Sequence, residues 1–328
     1  MTSGSDFINL KDAGLLVRDM DRILIVIHRD PDGDAIGCGF ALWAGLTQIG
    51  KSARVACSDA IPALYAYLTD CYDAAHPKEE TFTHEHIVTV DTASPSQLGS
   101  FSDISDSVSL SIDHHSSNTG YAAATLLVDE SASCAEIVYD LLLELGVKTD
   151  RYIAAALYTG ISTDTGCFRY RNTTAKSHKI TAELIDSGID LAYLNRVHFE
   201  TRSRGLVSLQ RMVLGSLEYY CGGRVAVVTI TKEMMLSSGA EEEDMSSISP
   251  IPRSIEGVDV GLTIRELDNG LIKCSVRTTA HANASKICSA FGGGGHHGSA
   301  GFQCSGNMGD VKAAVIRVVM GELGEKKV

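Results

Sequence analysis

The chain is short of positive charge. Its 328 residues carry 28 Lys and Arg against 41 Asp and Glu, a formal net charge of −13. That deficit excludes the basic track on which long nucleic acid binds non-specifically. It leaves room for a short anionic substrate, because carboxylates filled with divalent metal invert their local sign and attract phosphate. No apolar run approaches the ~20 residues that span a bilayer, so no membrane partner is expected. The start, MTSGSDFINLKD, has neither the basic region nor the apolar stretch of a signal peptide. No CxxC pair occurs among nine cysteines, an odd number, which predicts reduced thiols and a cytoplasmic setting. Cys38, Cys57, Cys134, Cys167 and Cys288 read as small packing residues. There is no internal repeat and no low-complexity segment, and the length predicts two domains.

What is present is an alternation of short apolar runs and helical stretches. Residues 22–28 (RILIVIH), 53–57, 86–90 and 108–112 read as buried strands. Helical spacing covers 35–49, 133–145, 151–161 and 174–187, with Gly50 as a C-terminal breaker. Strands alternating with helices predict an α/β unit with a mainly parallel sheet and helices on both faces. Ligands of such sheets sit beyond the carboxyl ends of the strands. After about Asp190 the pattern changes. A polar stretch, NRVHFETRSRG, leads to a helix expected at 206–220, then to strands at 224–231, 258–266 and 271–277 and a helix at 309–323. Asp268-Asn269-Gly270 is a hairpin signal between the last two strands. The segment SSGAEEEDMSSISPIPRS reads as a polar loop. The expected division is residues 1–195, a linker with connecting helix at 196–215, and a smaller α+β domain at 216–328 across a cleft.

Five strings stand out: HRDPDGDA at 28–35, DTAS at 91–94, DHH at 113–115, STDTG at 162–166 and GGGGHH at 292–297. His28, Asp32 and Asp34 flank a turn made by Pro31 and Gly33, so an imidazole and two carboxylates can enter one cavity. Nitrogen and oxygen donors without thiolates suit catalytic Mn, Mg, Fe or Zn rather than a closed structural zinc. The alternative is a solvated acidic turn capping the next helix; Asp30 reads as the cap or as a group behind the ligands, not as a ligand. Asp91 ends a buried strand, where a lone Asp is also a common cap. Asp113, His114 and His115 put three ionisable groups at one strand end, which is costly unless something pairs them. Asp164 closes an apolar helix and needs a partner for the same reason. The glycines at 292–295 let backbone N–H groups approach an anion, His296 adds a donor, and Arg277 can clamp a phosphate bidentately. Of the remaining candidates, His84 and His86 read as a solvated edge and Arg169 and Tyr170 as substrate contacts or surface packing. Tyr219 and Tyr220 read as packing between domains and His281 as a loop residue.

In this order the strings resemble the DHH–DHHA1 phosphoesterases, and within them the stand-alone enzymes that hydrolyse nano-RNA and pAp. The resemblance runs from about residue 20 to the end. It implies two divalent metal ions, Mn²⁺ in the family. His28, Asp32 and Asp91 would hold one, and Asp34, Asp91, His114 and Asp164 the other, with Asp91 bridging. It further implies that His115 faces the phosphate and that Asp113 orients a neighbouring histidine. Arg277, Gly293, Gly294, Gly295 and His296 would bind the terminal phosphate of the substrate. Two ions at one site activate water and neutralise phosphoryl oxygens. The chain reads HHGSAG where relatives read HxxAAG, and no role is given to His297 or Ser299.

The expected function is metal-dependent hydrolysis of very short oligonucleotides, including linear dinucleotides such as pApA, to 5′-mononucleotides, and of pAp to AMP and phosphate. Alternatives are a cyclic dinucleotide phosphodiesterase and a non-catalytic nucleotide-binding regulator. Expected partners are short oligonucleotides or nucleotide phosphates. The resemblance is compatible with a homodimer, for which the pattern shows no interface.

Overall fold

A computed structural model describes residues 6–75 and 82–324, and the first five residues of the MTSGS start lie outside it. The chain divides into two compact units, Met1–Thr201 and Arg202–Val328. In the first, six strands form one sheet: β1 (Asp6–Phe7), β2 (Ile23–Ile27), β3 (Ala53–Ala56), β4 (His86–Val90), β5 (Val108–Asp113) and β6 (Ala124–Leu127). Their order is β1-β6-β5-β4-β2-β3, and every pairing is parallel. The central strands are β-branched and buried on both sides, as a fully covered parallel sheet requires. The helices are α1 (Leu10–Asp19), α2 (Gly33–Gln48), α3 (Ala66–Ala75), α4 (Cys134–Glu144), α5 (Arg151–Asp164), α6 (Ala175–Asp186) and α7 (Leu191–Asn195). One face of the sheet, with Ile23, Ile25 and Ile27, packs on these α-helices. The other, with Val26, Ile87 and Val108, is covered by the 3₁₀ turns of Pro95–Ser107 through Leu98, Phe101 and Ile104.

Register decides where the chemistry falls. Ile27 pairs with Val90 and Val90 with Ile112, so three adjacent strands end at one level. The next residues, His28, Asp91 and Asp113, therefore share one sheet edge. Helices α2 and α5 then bring in two more carboxylates, because small residues let them cross closely. A Cβ on Gly37 would collide with the Ala156 carbonyl, and one on Gly33 with the Thr163 side chain.

The second unit opens with α8 (Arg204–Gly215). The helix expected at 206–220 stops at Gly215, and Glu218–Tyr220 is strand β7, paired antiparallel to β8 (Val225–Ile230). The remaining strands are β9 (Val260–Glu266), β10 (Ile272–Thr278), β11 (Gly294–His296) and β12 (Ser299–Cys304), in the order β11-β12-β10-β9-β8-β7. Only β8 and β9 pair in parallel, and the Asp268-Asn269-Gly270 turn joins β9 to β10 as the sequence predicts. Further helices are α9 (Lys232–Ser238), α10 (Met245–Ile248), α11 (Ala284–Ser289) and α12 (Met308–Glu322). The segment read as a polar loop contains α10 and two 3₁₀ turns, and its Ile248 is buried in a small core with Leu209, Val213 and Ile230. Met245, Ile248 and Ile251, three residues apart in a polar segment, meet that one core, a pattern too short to register as periodicity. Tyr220 packs on this unit's own core, and Tyr219 is exposed. Among the described residues no helix is long and apolar enough to cross a membrane. All nine cysteines are free. Cys38, Cys134 and Cys288 are buried, whereas Cys57 and Cys167 are half-buried.

Candidate metal centre

Asp91 is the hub. It follows β4, is 2% exposed, and holds a left-handed backbone (φ 56°). Asp tolerates that region better than most residues, and such conformations gather at functional sites. Its Oδ2 lies 3.6 Å from His28 Nε2, which lies 3.6 Å from Asp32 Oδ1. Its Oδ1 lies 3.5 Å from His114 Nε2, which in turn is 3.9 Å from both Asp34 Oδ2 and Asp164 Oδ2. Three donor clusters result, His28–Asp32–Asp91, Asp91–His114–His115 and Asp34–His114–Asp164, so Asp91 and His114 each belong to two of them. These separations exceed good hydrogen bonds. They match the spacing of donors around a shared cation with bonds of about 2.1 Å.

Three further observations fit a metal. Asp91 Oδ1 is buried with no hydrogen-bond partner among the described residues, an arrangement that is costly unless a cation completes it. His28 and His114 each direct Nδ1 to a backbone carbonyl, Arg29 at 2.7 Å and Ser131 at 3.2 Å, which leaves Nε2 free as donor. The carboxylates also repel one another. Burial, then the charges of Asp91, Asp164 and Asp32, push the Asp34 carboxyl well above the usual range. Burial raises Asp164 to about 6, with His114 opposing and Asp91 and Asp32 adding to the rise. Burial disfavours the His28 imidazolium, yet Asp32 and Asp91 outweigh it and push its pKa up to about 11. The raised Asp34, Asp164 and His28 favour their protonated forms, which offsets the crowded carboxylate charge.

Each donor is also part of the fold. Asp32, rather than Asp30, is the N-cap of α2, accepting from the N–H groups of Asp34 and Ala35. Asp32 thus caps α2 and still lies beside His28, so the two positions are not alternatives here. Asp30 is exposed at φ 49°, and its N–H donates to Asp59. Asp34 accepts from the N–H groups of Cys134 and Ala135 at 2.6 and 3.0 Å, so it holds the N-terminus of α4. The Ser133 side chain makes no cap bond there.

The strand-end trio divides its work. Asp113, wholly buried, accepts through Oδ1 from the His114 and His115 N–H groups and from His115 Nδ1 at 2.7 Å. Its Oδ2 accepts from Asn118 Nδ2 at 2.6 Å. Since His115 Nδ1 is taken by Asp113, it is not free to serve as a third donor beside Asp91, despite lying 3.6 Å from Oδ1. The hydrogen bond to Asp113 raises His115 to about 8 against the opposing effect of burial. Asn118, the Ser131 carbonyl and the α4 N–H groups are functional partners that sequence reasoning missed. Backbone donors leave no trace in side-chain patterns, and Asn118 sits in a turn-rich string, HHSSNTG.

In the second unit, β10 carries Arg277, which pairs with Ser299 of β12, and Ser299 pairs with His296 of β11. Directly paired residues share a face, so Arg277, Ser299 and His296 form one cross-strand row. The glycine cluster is an edge strand, not a free loop. Gly293 abuts Phe302 and the Gly301 carbonyl, Gly295 has φ 142°, and Gly294 faces open space. His281 bonds to Asp259, which also accepts from Arg224 and Thr279.

Comparison with known proteins agrees with both units. Residues 22–161 match the DHH family, N-terminal domain, and residues 222–321 match the DHHA1 domain. A Thermus thermophilus protein named bifunctional oligoribonuclease and PAP phosphatase NrnA is 32% identical over 285 residues, 87% of this chain and 84% of that one. The chain belongs to the DHH–DHHA1 phosphoesterase family. Its members are metal-dependent hydrolytic enzymes. A crystal structure of an exopolyphosphatase-related protein from Bacteroides fragilis superposes with a TM-score of 0.81 at 26% identity, covering 96% of this chain and 95% of that one. The Listeria monocytogenes cyclic-di-AMP phosphodiesterase PdeA is 25% identical over 88% of this chain but only 45% of its own length.

Proposed function

We propose that this family member hydrolyses very short oligonucleotides, linear dinucleotides such as pApA among them, to 5′-mononucleotides, and pAp to AMP and phosphate. The observation that carries this reading is Asp91, a buried carboxylate shared by two donor clusters with one oxygen unpartnered. The substrate class rests on the similarity to relatives named for oligoribonuclease and PAP phosphatase activity. His28, Asp32 and Asp91 would hold one divalent ion, and Asp34, Asp91, His114 and Asp164 a second, with Mn²⁺ as the proposed metal. Such ions supply a nucleophile at neutral pH and neutralise charge on phosphoryl oxygens.

The chain's own groups do the rest. Asp113 holds the His115 proton at Nδ1, so Nε2 of this 40%-exposed side chain can donate to the leaving oxygen. With a pKa of about 8, His115 is mostly protonated at neutral pH, as a general acid must be. Arg277, His296 and the backbone at Gly293, Gly294 and Gly295 would bind the phosphate end of the substrate. A cytoplasmic location belongs to the same proposal and is supported by the nine free thiols.

The test is Asp91→Ala assayed on pApA and pAp with Mn²⁺. Loss of the carboxylate that links the clusters should lower kcat by at least ~10³-fold. Wild-type turnover in a folded Asp91→Ala protein would sink the assignment. Including cyclic dinucleotides in the panel separates the activity named for PdeA, since preferred turnover of the cyclic substrate would replace the linear one. Tight binding without turnover would identify a regulator.

A further inference from the structure

The apolar side of the second unit's sheet is its core, but the opposite side is polar and cationic. Val260, Leu262 and Ile264 of β9 and Ile272, Cys274 and Val276 of β10 are buried against α11 and α12. The residues between them, which alternate to the other face, are Gly261, Thr263 and Arg265 on β9 and Lys273, Ser275 and Arg277 on β10. Register sets Arg265 beside Lys273 and Thr263 beside Ser275. With Ser249 and Met245 they line a recess of about 30 Å³. Such a volume takes a phosphoryl oxygen or a water and is too small for a nucleobase.

Arg265 is the unusual member. It is 9% exposed, and its Nε is buried with no hydrogen-bond partner among the described residues. Its Nη2 pairs with Glu242, whose side chain is 67% exposed. A buried guanidinium N–H without a protein acceptor is destabilising unless a water or an anion meets it. The side of Arg265 facing Glu242, Glu266 and Asp268 is acidic and would repel an anion. The side facing Lys273, Ser249, Thr263 and Ser275 offers a second cation and no carboxylate; Thr263 and Ser249 already donate to the Ser249 and Met245 carbonyls, which leaves the Ser275 hydroxyl to donate there among the described residues. Lys273 forms no ion pair among the described residues.

We propose that this recess is a second phosphate subsite, which takes a backbone phosphate of a bound oligonucleotide. This rests on the nucleotide reading above. Lys273 and Arg277 lie four residues apart on one face of one strand, a span of about 13 Å. One phosphate cannot touch both, whereas a chain of nucleotides can. The subsite would thus favour oligomers of several nucleotides over pAp.

The test compares wild type with Lys273→Glu and Lys273→Gln, both at a half-exposed position, in the full chain. Anisotropy of a labelled tetranucleotide without metal, competed by pAp or inorganic phosphate, reads binding. Steady-state kinetics with Mn²⁺ on the same substrates reads turnover. Lys273→Glu should weaken tetranucleotide binding and raise its KM by roughly 10-fold, the effect of losing a charge-assisted contact. Lys273→Gln should lie between, and pAp affinity and kcat should hold. Unchanged tetranucleotide affinity in Lys273→Glu would overturn the subsite while leaving the proposed activity intact. An equal loss on pAp and tetranucleotide would also overturn it, as would a loss confined to inorganic phosphate, which would mark a free-anion site. Absence of turnover on every nucleotide would refute the activity instead, and the binding data would still decide the subsite.

Discussion

Gly160→Ala is the most direct probe of how the fold builds the metal centre. A Cβ at this position would lie 2.6 Å from Asp34 Oδ1 and 2.6 Å from Ala135 Cβ. Ordinary carbon contacts need about 3.5–4.0 Å, so roughly 1 Å of relief is required. Ala135 has no rotamer to move. Both contacts must give: α5 separates from α4, and Asp34 Oδ1 leaves the Ala135 N–H group. Overpacking costs ~1–3 kcal/mol, and a lost hydrogen bond to a carboxylate ~1.5–3 kcal/mol. Helix propensity returns ~1 kcal/mol for replacing Gly by Ala. The net expectation is a destabilisation of about 2–5 kcal/mol. Mn²⁺ affinity should also fall ~10–100-fold, as when a group supporting a metal ligand is displaced. Urea unfolding of the metal-free protein and calorimetric Mn²⁺ titration measure the two effects. Gly215→Ala is the control, since nothing lies near a Cβ there, and it should change stability by no more than ~1 kcal/mol. A folded Gly160→Ala protein with wild-type metal affinity would refute the argument that this glycine makes room for Asp34.

Other predictions follow from the titrating groups. His28 is raised from 6.5 to about 11, so its stabilisation of the metal-free protein is complete below pH 6.5 and is lost as pH rises toward 11. Asp164, raised to about 6, has the same sign between its ordinary value and pH 6. The Tm increase produced by saturating Mn²⁺ should therefore grow from pH 6.5 to 9, by up to ~1.4 kcal/mol per pH unit in stability, and a shrinking increase would contradict it. Metal binding should release at least one proton at pH 8 and more near pH 6, read by calorimetry in buffers of different ionisation enthalpy. Asp113→Asn removes the largest cause of the raised His115 pKa, so the NMR titration midpoint should drop below about 8. An unmoved midpoint would remove Asp113 as its positioning partner. Asn118→Ala leaves Asp113 Oδ2 buried without its donor and should cost ~1–3 kcal/mol in chemical denaturation.

Much of this was legible in the chain before any coordinates. Apolar β-branched runs ending in His28, Asp91 and Asp113 mark strands whose carboxyl ends carry polar groups, and parallel sheets collect those ends on one edge. The match of five motifs in order placed the chain in its family. The Asn-Gly turn located the β9–β10 hairpin. What sequence could not supply was the pairing row Ile27–Val90–Ile112, which turns a common edge into a common site. Nor could it show that Asp32 both caps α2 and faces His28, or that Asp34 holds α4. The last role depends on backbone groups about 100 residues away.

The sequence by itself determined the ligand chemistry: donors of oxygen and nitrogen, too many carboxylates for one place without a cation, and a separate cationic and glycine-rich segment. Residue type sets those charges, and no fold can remove them. Tertiary structure alone decided which donors share Asp91, which imidazole nitrogen is free, and that Arg265 lies beside Lys273. Such facts follow from strand register and helix crossing, where a shift of one residue turns a side chain from one face to the other.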